Sequence, residues 1–229
     1  MRNNTIGKLA WDYDKNDNSS LNTYDNNWHT ATLQKLLNNS YYNGTGTITY
    51  YNSDSANGSV SLNMNNIGIK NTATRNMISE TNWYLGGLDT SGIYSNQIYQ
   101  YERGTQKCNG CTYETIWKGN IALPYLSDYS YSSDFSICTD TSGDVCRDTN
   151  WMYPIMTADG TQHSWLLTPF SSYSNFAWSV YSGGGVSIGN DVTYAFGVAP
   201  VLYLSSELEI ESGNGTSDNP YKLSAKQLI

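Results

Sequence analysis

The sequence predicts an α+β fold, and three observations point there. Helical periodicity is confined to the part of the chain before Gly104. After it, short apolar runs bounded by Gly, Pro, Ser and Asp read as strands and long loops. Asn, Ser and Thr occupy 26, 28 and 22 positions, so turn-forming residues separate every element. Two or three N-terminal helices followed by an antiparallel, loop-rich sheet is the α+β order.

The first helix follows Trp28. Thr30 is placed to cap it, Ala31, Leu33, Leu36 and Leu37 recur on one face, and Asn38-Asn39 ends it. A second spans Asn71 to Ser79 with Ala73, Met77 and Ile78 inward. A third runs from Ser91 through Ile93, Ile98 and Tyr101, stopping before Gly104. The run Asn120-Ile121-Ala122-Leu123 is a short strand, with Pro124 and Pro154 as punctuation. Trp165-Leu166-Leu167-Thr168-Pro169 opens the final sheet as a buried strand. Phe176 to Tyr181 alternates and meets a turn at Gly183-Gly184-Gly185. Val186-Ser187-Ile188 leads to a second turn at Gly189-Asn190-Asp191. Val198 to Leu204 is a closing strand, with Pro200 near its start, where a missing N–H does least harm.

Composition narrows the function classes. The 229 residues carry a net charge of −8, and only 14% are charged. An acidic chain of this kind lacks the basic footprint that nucleic acid or an anionic membrane requires. Its 20 Tyr, 7 Trp and 4 Phe exclude a disordered chain. Because apolar residues reach only 38%, Tyr and Trp must do much of the packing, with their O–H and N–H groups partnered. No apolar run approaches the roughly 18 residues that a membrane span needs, so no membrane insertion is expected of this chain. Nor does its N-terminus carry the apolar region of a secretion signal. The charge is lopsided: residues 1–120 hold 9 basic and 9 acidic side chains, residues 121–229 hold 3 and 11.

Four cysteines, Cys108, Cys111, Cys138 and Cys146, cluster in an Asn/Ser/Tyr-rich chain, which points to disulfides and an oxidising compartment. The competing readings are free thiols and a four-thiolate zinc site, whose second half lacks the matching Cys-x-x-Cys. Catalytic signatures are absent. His29 and His163 sit in no metal motif, no nucleophile elbow or phosphate loop occurs, and Glu207, Glu209 and Glu211 alternate as the solvated face of an edge strand. The stretch from Asp12 to Thr23 resembles a calcium loop, but Asp17 stands where Gly is required and Thr23 where Glu is. No cofactor is expected, with room left for a structural calcium ion.

Binding has better support. From His163 to Ser206 the chain contains no Lys, Arg, Glu, Gln or Met. What lies between its strands is Tyr, Ser, Asn, Gly and Asp, the composition of a paratope: rigid aromatic contact area with adaptable hydrogen bonding. The candidate contacts are Ser171, Ser172, Tyr173, Asn175, Trp178, Tyr181, Asn190, Asp191 and Tyr194.

The frame Trp165-Leu166-Leu167-Thr168-Pro169, Ser171-Ser172, Val180, Gly184 and Gly197-Val198-Ala199-Pro200-Val201-Leu202 resembles a group of bacterial surface proteins. Their C-terminal half has a C-type-lectin-like fold of the formylglycine-generating-enzyme type. Gly7 to Asp12, Trp28 with Leu33 to Asn38, and the ending Gly213 to Tyr221 are similar to the same group. The resemblance implies one C-type-lectin-like domain over residues 1–229, with a cysteine-containing, loop-rich insert at about 104–160 and a ligand-binding region at about 165–204. The group includes variable proteins of diversity-generating retroelements, in which mutagenesis of AAY codons yields Asn, Tyr, Ser, Asp, Phe and Gly. Mapped by position, that implies diversification at Ser171, Ser172, Tyr173, Asn175, Tyr181, Asn190, Asp191 and Tyr194, with Trp165 and Trp178 as invariant scaffold. Two departures stand out: Ala199 occupies the place of the group's usual Arg, and the calcium-lectin sugar signatures are missing.

The expectation is therefore a non-catalytic, adhesin- or receptor-like protein at the cell surface or outside the cell. Its ligand would be a protein or glycan on another cell or phage surface. The alternatives are a structural pilin-like or surface-layer subunit and, by analogy with the enzyme relatives, an oxidase-like enzyme using Cys108 and Cys111.

Overall fold

A computed structural model describes residues 5–15, 24–53, 58–90, 94–133, 144–160, 162–216 and 218–225. It is a mixed α+β architecture. The chain begins with β1 (Lys8–Leu9), then α1 (Thr32–Lys35), which runs on as a π turn over Leu36–Tyr41. The hairpin β2 (Thr47–Tyr51) and β3 (Ser59–Asn63), α2 (Met64–Ile67) and α3 (Thr72–Asn76) follow. Next are β4 (Ile78–Ser79), β5 (Thr81–Tyr84), α4 (Ser95–Glu102), β6 (Ile116–Gly119), β7 (Ile121–Ala122) and α5 (Leu126–Tyr131). A 3-10 turn over Asp144–Thr149 and α6 (Tyr153–Met156) lead to β8 (His163–Pro169), β9 (Phe176–Tyr181) and β10 (Val186–Asp191). The chain then forms β11 (Phe196–Gly197), β12 (Val201–Leu204) and a terminal hairpin, β13 (Leu208–Ser212) with β14 (Lys222–Ala225).

The main sheet has the order β1-β11-β8-β9-β10, so the first strand closes beside one of the last. Its β8-β9-β10 part is an antiparallel meander. The join of β11 to β8 is parallel, pairing Gly197 with Ser164, which corrects the expectation of a wholly antiparallel sheet. Within the meander, β8 and β9 are buried on both faces, while the edge strand β10 is only half-buried at Ser187, Gly189, Asn190 and Asp191. Trp165, Leu167 and Ala177 face one core, with Trp11, Trp28, Leu33, Leu37 and Trp83. Leu166, Trp178 and Val180 face the other, with Ile98, Leu126, Tyr129 and Met156. Successive side chains on a strand point to opposite faces. A strand covered on both sides therefore reads as a continuous apolar run, as Trp165-Leu166-Leu167 does.

Four of the five fully buried indoles anchor main chain as well as filling space; the Nε1 of the fifth, Trp28, has no hydrogen-bond partner among the described residues, against the expectation that these N–H groups are met. Trp165 Nε1 donates to the carbonyl of Leu9 at 2.9 Å and Trp11 Nε1 to that of Leu166 at 3.2 Å, a reciprocal stitch between β8 and the N-terminal segment. Trp83 and Trp178 donate in the same way to Gly119 and Leu88, each at 3.0 Å. The turn joining β9 to β10 forms as expected. Gly184 there has φ +91, and its flat surface lies against Arg147, where a Cβ would collide.

Several local expectations change. Thr30 does not cap α1; Asp12, far away in sequence, accepts the Thr32 N–H at 2.9 Å. Asn38 does not stop that helix. Its amide donates to Gln34 and Ile121 while its carbonyl oxygen accepts from Asn120 and Ile121. The second helix ends at Asn76, Ala73 is exposed, and Ile78 belongs to a strand. Residues 91–93, the expected start of the third helix, lie outside the described residues; its remainder is α4. The segment read as strands and loops after Gly104 also contains α5 and α6.

At the C-terminal end, β10 runs on through Asn190 and Asp191, with a register shift after Ser187, so the second turn falls later. The closing strand, expected from Val198 to Leu204, begins only at Val201, and Phe196–Gly197 just before it form a strand of their own. β11 stays in the main sheet, whereas β12, after Pro200, leaves to pair with β4 and β7. Among the described residues, no helix is long and apolar enough to cross a membrane.

Candidate functional site

The loop between β8 and β9 is held by a residue from the other end of the chain. Asn26 is 2% exposed, and its Nδ2 donates to the carbonyls of Phe170 (3.0 Å), Tyr173 (3.1 Å) and Phe176 (2.7 Å). Its backbone N–H donates to the Ser174 carbonyl, and its Oδ1 accepts from the Tyr113 hydroxyl at 3.0 Å. One buried amide thus satisfies a loop that has no ladder of its own. The turn after β10 is tied to the same loop. Asp191 accepts from Asn175 Nδ2 at 3.0 Å with one oxygen and from the Thr193 N–H and hydroxyl with the other. The Val192 N–H donates to the Asn175 carbonyl.

Of the expected contact residues, the structure gathers four on this loop and turn. Tyr173 is 58% exposed with its ring stacked beside Phe170, and Tyr194 is 42% exposed beside Phe196. Asn175 and Asp191 join them at the base. Ser172 is exposed but donates to Asp89, and Ser171 is buried against Gln106 and Leu88. Asn190 lies on β10 with its amide donated to Ser179.

Tyr181 sits at the far end of β9, packed against Gly185 near His163, about 17 Å of strand from Phe176. It is not part of the cluster. Trp178 requires a correction. It is 0% exposed in the second core and edge-on to Phe170, so it offers no surface for contact. The β alternation that turns Ala177 toward one core turns Trp178 into the other.

Two clefts border the loop. The larger, about 460 Å³, is lined by Tyr24, Asp25, Asn109, Cys111, Tyr113 and Ser174 among others. The smaller, about 300 Å³, is lined by Tyr13, Tyr24, Ser53, Asn175, Asp191 and Thr193. Tyr24 belongs to both, and its ring lies 5.0 Å from that of Tyr13. Sequence reasoning missed Tyr24, Asp25, Asn26 and Tyr113. The Asn26-Asn27 doublet before Trp28 reads as the approach to a helix, and nothing local marks it as a clamp.

Cys108 and Cys111 form a disulfide across a turn in which Gly110 has φ +82 and the Cys111 N–H donates to the Cys108 carbonyl. Bonded to each other, they are not zinc ligands in this state. Cys138, and the side chain of Cys146, lie outside the described residues. So does most of the calcium-like loop. Its Asp12 is engaged elsewhere, accepting from the Thr32 and Asp25 backbone N–H groups. Among the described residues, no group of three or more His, Cys, Asp or Glu is placed to hold a metal ion.

Burial governs the electrostatics. It pushes the Asp12 carboxyl up to about 6, against the hydrogen bonds from Thr32 and Asp25, and it raises Asp25 as well. Beyond the clefts, Glu102 is wholly buried where α4, α5 and β8 meet. It accepts from the Ser127 N–H and hydroxyl, from Thr168 at 2.7 Å and from Arg103 at 2.8 Å. Burial still holds its carboxyl near 7. The Arg103 guanidinium lies over Tyr99 and Tyr125, at 3.9 and 4.3 Å.

No protein-family model matches the chain, and no curated protein or solved structure matches it significantly.

Proposed function

We propose that this chain is a non-catalytic, ligand-binding protein of the extracellular space or cell surface, with a C-type-lectin-like fold. Its binding face is the 171–175 loop together with the 191–194 turn, and its ligand is a protein or glycan on another surface. The observation that carries the reading is the contrast within one loop. Asn26 and Asp191 fix the backbone, while Tyr173 and Tyr194 stand out from it with large exposed rings. Rigid backbone beneath exposed tyrosine is pre-organisation, which lowers the entropic cost of binding. The Cys108–Cys111 disulfide agrees with an oxidising environment. If copies of the gene differ mainly at Tyr173, Asn175, Asp191 and Tyr194, the chain is a diversified variable protein; scattered differences remove that refinement.

The Tyr173→Ala, Tyr194→Ala double variant should lose about a hundredfold in affinity for a ligand recovered from protein and glycan arrays. Its melting temperature should stay within about 2 °C of the parent, since neither ring is core. Unchanged binding would sink the proposal. A second reading, a structural pilin-like or surface-layer subunit, draws on the β13–β14 hairpin. It pairs with no other described strand and exposes Ile210 and Tyr221. Concentration-dependent assembly in sedimentation, abolished by Ile210→Lys, would favour that reading.

A further inference from the structure

The two clefts share a wall but differ in one respect. In the smaller, both oxygens of Asp191 are occupied by Asn175 and Thr193. In the larger, Asp25 accepts only the Asn27 N–H, at 3.1 Å, and forms no ion pair with any described residue. Among the described residues, no Lys or Arg lines either cleft. Beside Asp25 stand the rings of Tyr24 and Tyr113, and the Asp12 carboxylate lies just behind, accepting the Asp25 N–H. Burial is the main cause of the raised Tyr113 hydroxyl and Asp12 carboxyl, and the Asp25 charge adds to both in the same direction.

A half-buried carboxylate without a counter-ion is costly. A cation placed between it and aromatic faces relieves that cost and gains from the rings. Lys107, whose ammonium lies 5.6 Å from the Tyr113 ring and donates to the Tyr113 carbonyl, is not among the described lining residues. A metal ion would find a single carboxylate on the wall, where hard cations gather six or more oxygens.

We propose that the larger cleft binds an organic cation, a primary ammonium or guanidinium, with Asp25 as its counter-charge and Tyr24 as its aromatic wall. This deepens the reading of the adjoining loop as a ligand-binding face, and rests on it: the cation is the charged anchor of a ligand whose remaining surface lies on Tyr173 and Tyr194. Such a group is the lysine or arginine side chain of a protein partner, or a free polyamine.

The test is a titration followed by NMR and calorimetry. The probes are the Nα-acetyl methylamides of lysine and arginine, spermidine, a lysine-centred pentapeptide and the uncharged Nε-acetyl-lysine analogue. The charged probes should bind in the millimolar range or tighter and shift the Tyr24 and Tyr113 resonances, and the neutral analogue should not. Asp25→Asn should weaken them about tenfold. Thr112→Lys, at an exposed position on the rim, should block the site with its own ammonium while leaving the fold intact. Tighter binding of the peptide than of spermidine assigns a protein partner, and the reverse assigns a polyamine.

Equal binding of Nε-acetyl-lysine, or no binding by any charged probe, overturns the inference and leaves an uncharged ligand. The Tyr173, Tyr194 double variant separates the two failures. If it loses the array ligand while no cation binds, only the cation site is wrong. If it keeps that ligand, the loop reading itself falls.

Discussion

Replacing Asn26 with Ala should lower the stability of the protein by about 2–4 kcal/mol and abolish binding at the loop it holds. The side chain is buried and serves the carbonyls of Phe170, Tyr173 and Phe176 together with the Tyr113 hydroxyl. Alanine removes the donor to the Phe170 and Tyr173 carbonyls and the acceptor for the Tyr113 hydroxyl, while the Phe176 carbonyl keeps the Phe170 N–H; an unmet buried polar group costs far more than a hydrogen bond contributes. For a chain of this size the loss corresponds to a fall in Tm of roughly 10 °C. Asn26→Asp should be no better, because it replaces the donor with a negative oxygen facing three carbonyls. Thermal denaturation and ligand titration on the same preparations check both. A variant with the parent's Tm would mean that the loop is held by its own contacts and that Asn26 is incidental.

Raising the pH from 5 to 8 should cost the parent roughly 2 kcal/mol of stability through Glu102 alone. A carboxyl held near 7 in the folded chain against 4.5 unfolded binds its proton more tightly when folded. Its contribution is therefore complete below about pH 4.5 and is lost as pH rises through 7. Asp12, pushed to about 6 by burial, acts in the same direction. Chemical denaturation across this range isolates the Glu102 part by comparison with Glu102→Gln, whose stability should fall less steeply with pH. Parallel curves for the two proteins would show that the Arg103 guanidinium and the Ser127 and Thr168 donors keep Glu102 ionised throughout.

Glu102 also shows where sequence reading stops. It sits in a helical segment ending Gln100-Tyr101-Glu102-Arg103, where a Glu–Arg pair looks like solvated helix surface. Its burial depends on Thr168 and Ser127, which arrive from β8 and α5. The abundant Asn reads as loop former, yet Asn26, Asn38, Asn52 and Asn150 each bond main chain at more than one point. Tyr behaves likewise: Tyr50, Tyr125, Tyr129 and Tyr153 direct their hydroxyls to backbone groups. A composition that resembles a binding surface is, in good part, the means by which a loop-rich interior meets its hydrogen bonds.

Trp178 illustrates the same confusion on a strand. Aromatic residues beside Ser and Gly suggest a contact surface, but one residue of alternation separates the exposed loop from the core. Nothing in Phe176-Ala177-Trp178 says that both faces of β9 are covered, because the covering residues come from α4 and α5 on one side and from the N-terminal segment on the other.

The central β8 and β9 strands, the glycine turn beyond them, the core of α4 and the tyrosine-bearing loop are legible in the local residue pattern. Each follows from residues within a few positions of one another, through apolar periodicity and the conformational freedom of Gly184. That Tyr173 faces out while Trp178 faces in, that β12 leaves the main sheet, and that Tyr24 and Asp25 border the loop emerges from long-range packing alone. The physical reason is distance along the chain. The Asn26 clamp joins residues 144 to 150 positions apart, and a hydrogen bond of that reach leaves no mark on the local pattern at either end.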